Sequence, residues 1–342
     1  MSDVEAHPPT GERHPGPWPS VTLEGVLRVV VWTLVVLLSV PAVVLTIARI
    51  SGSERQVAVQ AQAFAPLAIP LYAGVVLLLV VAFLASERRV PAAAAAVLAV
   101  ALGALHVSWV APLLRAEAAP PGDRVTVMTS NLLRGGADVD AVLAVARAAD
   151  VELLALEEVT PAALERLDAA GVAEQFPYVV GDGSGTVAFA RTPLTDATRI
   201  LGGNNSWAFT WQGRRVFAVH PAYPRRNTAW RGELSALAVL AARERPEIML
   251  GDFNATLDHR PFRTILGTGY RDAAEQAGSG WQPTWPVRGT AHPFGVPLPP
   301  SVAIDHVLVG DGLVATSTRT VVVGGTDHKS LLATLADGSA GS

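Results

Sequence analysis

Ile248-Met249-Leu250-Gly251-Asp252-Phe253-Asn254 is the stretch on which the reading of this chain turns. Three large apolar residues in a row read as a buried strand, and a carboxylate and an amide follow it two positions apart. On extended backbone, residues two apart face the same way, so Asp252 and Asn254 are expected to address one point. Gly251 permits a close backbone approach beside them. A carboxylate at the end of a buried strand needs a partner, because an unpaired buried charge is costly.

The same pattern recurs along the last two thirds of the chain. Asn131 follows the apolar run Val125–Thr129, and Glu157-Glu158 ends the run at Leu153–Leu156. His220 follows Val216–Val219, Asp305 lies within Ala303–Val309, and Asp327-His328 separates Leu313–Val323 from Leu331–Leu335. Rigid strand ends can gather carboxylates and imidazoles on one cation and one phosphate. Because side chains alternate on a strand, only one of Glu157 and Glu158 is expected to look into a shared site. His220 suits hydrogen bonding to a phosphate oxygen. Asp305 is the better partner for fixing the tautomer of His328, and Asp327 is more naturally a metal ligand. His306 points away from Asp305, and His259 and His292 lie in loops without a persuasive partner.

Helical signals alternate with these strands. Asp138 is a plausible N-cap for a helix over Val139–Ala149, and Thr160 caps one that starts at Pro161. Leu234, Leu237, Val239 and Leu240 form an apolar stripe in Thr228–Arg243. With rather few helices per strand, the pattern is an α/β layered sandwich more than a regular doubly wound sheet.

The first third differs in composition. Val26–Ala48, Pro66–Ala85 and Pro91–Pro112 each have about the 20 apolar residues that span a bilayer. Five prolines among charges mark 1–20 as a disordered tail. The expected organisation is a membrane domain over 21–114, a stiff linker over 115–123, a catalytic domain over 124–336 and a disordered end over 337–342. Placing the tail in the cytoplasm puts Arg13, Arg28, Arg88 and Arg89 inside and Arg49, Arg55 and Arg115 outside. The odd number of spans then makes the catalytic domain extracytoplasmic. The chain has no cysteine, which excludes disulfides and thiol nucleophiles. Residues 124–342 carry 19 Lys and Arg against 22 Asp and Glu, a net charge of −3 that argues against a nucleic-acid partner.

The ordered set Ser130-Asn131, Leu156-Glu157-Glu158-Val159, Val219-His220, Gly251-Asp252-Phe253-Asn254, Ile304-Asp305 and Asp327-His328 resembles the endonuclease/exonuclease/phosphatase superfamily. Three leading spans and Pro283-Thr284-Trp285-Pro286 resemble its membrane-bound, VanJ-like subgroup, associated with teicoplanin resistance. The resemblance implies a four-layer α/β/β/α sandwich of deoxyribonuclease I type over about 124–336, behind three transmembrane helices. It implies Glu158 as the principal ligand of Mg²⁺ or Mn²⁺, with Asn131 and Asp327 on the metal side. Asp252 and Asn254 would position the attacking water or the phosphate, His220 would contact the phosphate, and His328, held by Asp305, would be base or phosphate stabiliser. Two departures stand out: Glu157 where the family usually has Gln, and Arg134-Gly135-Gly136 after Asn131. The function implied is a membrane-anchored phosphoesterase of the lipid bilayer surface, acting on a lipid-linked mono- or diester. A nuclease on the same fold and a non-catalytic binder of a wall precursor or antibiotic are the rival readings.

Overall fold

The structure, a computed structural model, describes residues 22–85, 89–291 and 295–338. The expected tail over 1–20, Arg88 and His292 lie outside these residues. Four helices come first: α1 (Leu23–Ser51), α2 (Gln56–Ala63), α3 (Ala68–Ala85) and α4 (Arg89–Val110). The stretches Leu23–Ser51, Ala65–Ala85 and Arg89–Leu114 are long and apolar enough to cross a membrane. Their outward residues are bare hydrocarbon, such as Leu37, Leu77 and Val97. Inside the bundle a polar cluster ties the three together. Thr46 Oγ1 on α1 lies 2.8 Å from Tyr72 Oη on α3 and 2.9 Å from His106 Nε2 on α4. His106 therefore packs between helices, the structural role expected of a polar group among apolar helices.

Among the described residues, twelve strands and six further α-helices follow. The strands are β1 (Arg124–Asn131), β2 (Val151–Val159), β3 (Tyr178–Val180), β4 (Gly185–Ala190), β5 (Leu194–Leu201), β6 (Ser206–Trp211), β7 (Arg214–Val219), β8 (Ile248–Asp252), β9 (Arg271–Asp272), β10 (Asp305–Val309), β11 (Leu313–Val322) and β12 (Lys329–Asp337). The helices are α5 (Val139–Ala148), α6 (Pro161–Ala169), α7 (Val172–Gln175), α8 (Asn227–Glu244), α9 (Arg260–Leu266) and α10 (Ala273–Gln276). As expected, Asp138 and Thr160 accept the Ala141 and Ala163 amides to cap α5 and α6. β12 runs to Asp337, one residue beyond the expected end of the domain.

Two six-stranded sheets form, in the orders β11-β12-β1-β2-β4-β3 and β5-β6-β7-β8-β10-β9. The period-2 alternation of the strands sorts residues between layers. Leu153 and Ala155 meet Val216, Ala218 and Leu250 between the sheets. Their neighbours Leu154 and Leu156 pack outward on Val142, Leu143 and Leu167 of α5 and α6. On the far side, Phe217, Val219 and Met249 pack on Trp230, Leu234 and Phe262 of α8 and α9. The result is the expected helix–sheet–sheet–helix sandwich.

Sequence patterning does not show β5, which runs at an edge with most of its side chains exposed and so has no apolar face. Nor does it show α2, a polar-looking segment between two apolar runs. α2 packs on the sandwich: Val59 is 2 % exposed and belongs to the same apolar cluster as Trp230, Phe253 and Phe262. Full burial of a valine contributes about 1.5–3 kcal/mol. His259 Nε2–H donates to Val59 O (2.9 Å), and Arg260 N donates to Gln62 Oε1 (3.3 Å). At the end of α1, Arg49 Nε donates to Asp258 Oδ1 (2.6 Å), and its guanidinium stacks 4.6 Å from the Trp109 ring centre on α4. The ends of α1 and α4 and the α1–α3 connector thus all meet the sandwich on one side. The connector packs on the layer of α8 and α9.

Candidate active site

Sheet topology explains the convergence of the predicted residues. β1 and β2 are parallel, as are β7 and β8, so Asn131, Glu158, His220 and Asp252 all sit at or just past strand C-termini. β10 and β12 run antiparallel to β8 and β1, so their starts lie at the same edge, and Asp305 is the direct register partner of Asp252. Two backbone devices finish the placement. A register irregularity in β2 between Leu156 and Val159 re-aims the two glutamates. Glu158 takes a positive φ of 55°, a strained conformation for a residue with a Cβ. At Gly251 an added Cβ would lie 2.0 Å from Val219 O, so only glycine lets β8 pass β7.

The irregularity separates the roles of the glutamates. Glu158 is half-buried and faces the pocket. Glu157 is fully buried and accepts from Thr129 Oγ1 (2.7 Å), while its Oε2 has no protein partner. Burial first, opposed by the Thr129 bond, and then the charges of Asp305 and Asp252 push its carboxyl well above the usual range.

Asp252 is the hub. Asn131 Nδ2 donates to Asp252 Oδ2 at 3.0 Å and to Glu158 Oε1 at 3.3 Å. His220 Nε2 lies 3.5 Å and His328 Nε2 3.8 Å from the same Oδ2. Asn254 N donates to Asp252 Oδ1 (2.8 Å), while Asn254 Nδ2 turns to Pro221 O (3.1 Å). His328 Nδ1–H donates to Asp305 Oδ2 (2.9 Å), as the sequence pairing required. Asp327 Oδ1 lies 4.0 Å from His328 Nε2. All eight predicted residues therefore fall in one connected cluster. Asn131 Oδ1 also accepts from Leu133 N (2.9 Å), which orients the amide so that its NH₂ holds the two carboxylates.

The charges are interdependent. Burial, then the nearby Asp305 charge, raise Asp252 to about 7. Burial alone would depress His328, but Asp305 and Asp252 outweigh it and hold the ring up at about 10. Burial and the neighbouring His328 push His220 down to about 3. The site thus holds one imidazolium between carboxylates and one neutral imidazole.

The donor chemistry fits a divalent cation. Ligand atoms of Asp252, Asp305 and His328 lie within 4.8 Å of one another. Beside this group the Asn131 amide joins Asp252 to the Glu158 carboxylate, and Asp327 Oδ1 is buried without a hydrogen-bond partner. Carboxylate oxygens suit a hard ion.

Several supporting residues escape the sequence reading. Trp285 Nε1 donates to Asp327 Oδ2 (2.9 Å). Thr326 Oγ1 donates to Asn131 O (2.7 Å) and accepts from His328 N (3.1 Å), which locks β1 to the start of β12. Asn204 Nδ2 holds His220 O (3.0 Å). Of these only Trp285, inside the Pro-Thr-Trp-Pro motif, carried a signal. Asn204, Trp285, Ala291 and Leu298 line the pocket. His306 turns the other way, with Nδ1 2.7 Å from Asp272 Oδ2 and Nε2 2.9 Å from Ala255 O.

The site opens into a cavity of about 940 Å³. Among solved structures, humanized D. rerio TDP2 is 14 % identical, with 62 % of this chain and 98 % of that one covered and a TM-score of 0.48. An endonuclease/exonuclease/phosphatase from Bacteroides vulgatus is 18 % identical over 63 % and 99 %, with a TM-score of 0.47. The inositol polyphosphate 5-phosphatase domain of SPsynaptojanin is 14 % identical over 63 % and 84 %, with a TM-score of 0.41. No curated protein matches the chain in sequence. The family match itself runs over residues 128–328, from β1 to the histidine of the Asp305 pair, and this chain belongs to the endonuclease/exonuclease/phosphatase family, whose members hydrolyse phosphate esters.

Proposed function

We propose that the protein is a membrane-anchored, divalent-metal-dependent phosphoesterase acting at the extracytoplasmic face. The observation that carries this is the meeting of Asn131, His220 and His328 on Asp252 Oδ2, with Asp305 behind His328. A bound Mg²⁺ or Mn²⁺ would be held chiefly by Glu158, with Asn131 and Asp327 on its side, and would supply charge neutralisation at the phosphoryl oxygen. Asp252 orients the attacking water and takes up its proton. His328, its Nδ1 committed to Asp305, presents Nε2–H to a non-bridging phosphate oxygen, and neutral His220 adds a second contact.

Tethering by three apolar helices confines such a site to the bilayer surface and raises its effective concentration toward lipid-borne phosphates. The substrate class is therefore a lipid-linked or cell-envelope phosphate ester. The resemblance to the VanJ-like subgroup extends this to a wall-precursor lipid whose turnover contributes to teicoplanin resistance. The test is a turnover screen of the full chain in nanodiscs against prenyl phosphates, phospholipids and plasmid DNA, with Mg²⁺, Mn²⁺ or EDTA. Cation-dependent turnover of the lipids supports the reading. Turnover of DNA alone would establish the nuclease instead.

A further inference from the structure

We infer that α2, the connector between the first two apolar helices, forms one wall of the active-site pocket and binds the hydrocarbon chain of an amphiphilic phosphate ester. The pocket whose floor carries Glu158, Asp252 and His328 is flanked on one side by Val59, Ala63 and Phe64. Leu298, Val302 and Ile304 face it from the sandwich. A phosphoryl group on the floor therefore has its substituent directed between two apolar surfaces. Arg134, Arg225 and Arg226 also line the pocket and suit the anionic end of such a ligand, whereas methylenes gain from burial between the apolar residues.

Three observations make the wall a built part of the site. Val59 is anchored in the apolar cluster of Trp230 and Phe253, the residue between Asp252 and Asn254. His259, itself a pocket residue, holds Val59 O at 2.9 Å. Gln62, 1 % exposed, donates to Ser53 O (2.9 Å) and so braces the connector from behind. The wall is also continuous at both ends with membrane-length helices, so a chain lying along it leads from the site toward the hydrocarbon that α1 and α3 would occupy. The inference rests on the phosphoesterase reading for the identity of the floor, and it deepens that reading by assigning chain selectivity to Ala63 and Phe64.

Binding of n-alkylphosphonates, which need no turnover, tests it. Affinity for butyl-, hexyl-, octyl- and decylphosphonate is measured by calorimetry on the full chain in nanodiscs, with empty discs subtracted. Burial of a methylene at about 0.8 kcal/mol corresponds to roughly a fourfold gain per carbon, so wild-type affinity should climb steeply across the series. Ala63→Glu and Phe64→Ser should flatten that climb at least tenfold between butyl and decyl, and Phe64→Leu should restore it. Butylphosphonate affinity within twofold of wild type reports an intact floor in each variant. Val57→Glu, on the 78 % exposed side of the same helix, should keep the full climb. A flat wild-type series, or a climb unchanged in Ala63→Glu and Phe64→Ser, overturns the inference. A steep, α2-dependent climb in a protein that turns over no phosphate ester would leave the wall standing and remove the hydrolase reading instead.

Discussion

Asp305 and His328 are joined by a hydrogen bond of 2.9 Å although 23 positions separate them, and Asp305 is also the register partner of Asp252 across β8 and β10. One aspartate therefore fixes the imidazole and is itself fixed by the strand that carries the hub of the site. Thr284 Oγ1 accepts from Asp305 N (3.2 Å) and completes the clamp. Removal of either side chain should act on chemistry before stability. Asp305→Asn and His328→Ala are expected to lower kcat roughly a hundred- to a thousand-fold, the range for losing one preorganised donor to developing charge. Steady-state kinetics on the best substrate of the lipid screen decides this. Activity within threefold of wild type in both variants would remove His328 from the mechanism.

Glu158 and Asp252 share one amide donor, and two carboxylates held that close favour a cation between them. Mg²⁺ at a hundredfold excess over Kd should stabilise the folded protein by about 2.7 kcal/mol. That shift should vanish in Glu158→Ala and survive in Asp311→Ala, an exposed carboxylate paired with Arg245. Thermal melts with and without EDTA measure it. An undiminished Mg²⁺ shift in Glu158→Ala would falsify the proposed ligand set.

Glu157 stands where the family usually carries glutamine, and burial keeps its carboxyl protonated well above the usual range. A carboxyl with a raised folded pKa contributes stability below its unfolded value near 4.5, and that contribution is lost as pH rises through the folded pKa. Glu157→Gln removes this loss. It should raise the melting temperature at pH 8 by roughly 2–4 °C per kcal/mol gained, and the gain should shrink toward pH 4. A Tm series over pH 4–9 for both proteins is the check, and a lower Tm for Glu157→Gln at pH 8 counts against a protonated Glu157.

His259 works in the opposite sense. Burial drives its ring down to about 4, in keeping with a neutral tautomer that accepts from Thr256 N (2.8 Å) at Nδ1 and donates to Val59 O at Nε2. Its contribution is present above the unfolded value of 6.5 and is lost as pH falls toward 4. The full loss is on the order of 3 kcal/mol. His259→Gln keeps a donor and does not titrate, so the wild type should lose stability relative to it between pH 6.5 and 4. Hydrogen exchange at the α2 amides locates the loss: protection should fall with pH in the wild type and stay level in the variant.

Gly251→Ala is the expected lethal change. Its Cβ would sit 2.0 Å from Val219 O, and neither backbone can retreat without breaking the β7–β8 pairing. Destabilisation of more than about 3 kcal/mol is expected, as for other overpacked buried sites. A soluble, cooperatively melting Gly251→Ala protein would show that the strands can part.

The sequence by itself determined the things that are local or periodic. Alternation placed Leu153 and Leu154 on opposite faces of β2, caps located α5 and α6, and runs of hydrocarbon marked the three long helices. The ordered polar residues at strand ends named the cluster, because parallel and antiparallel pairing leaves them few ways to avoid one another. Tertiary structure alone decided which of two adjacent glutamates faces the pocket, since a register irregularity and a positive φ, not alternation, set it. It decided that the Asn131 amide bridges two carboxylates, and that Trp285 steadies Asp327. It also decided that α2 belongs to the sandwich. A short segment with one buried valine has no periodic signature, and its place depends on partners about two hundred positions away, such as His259.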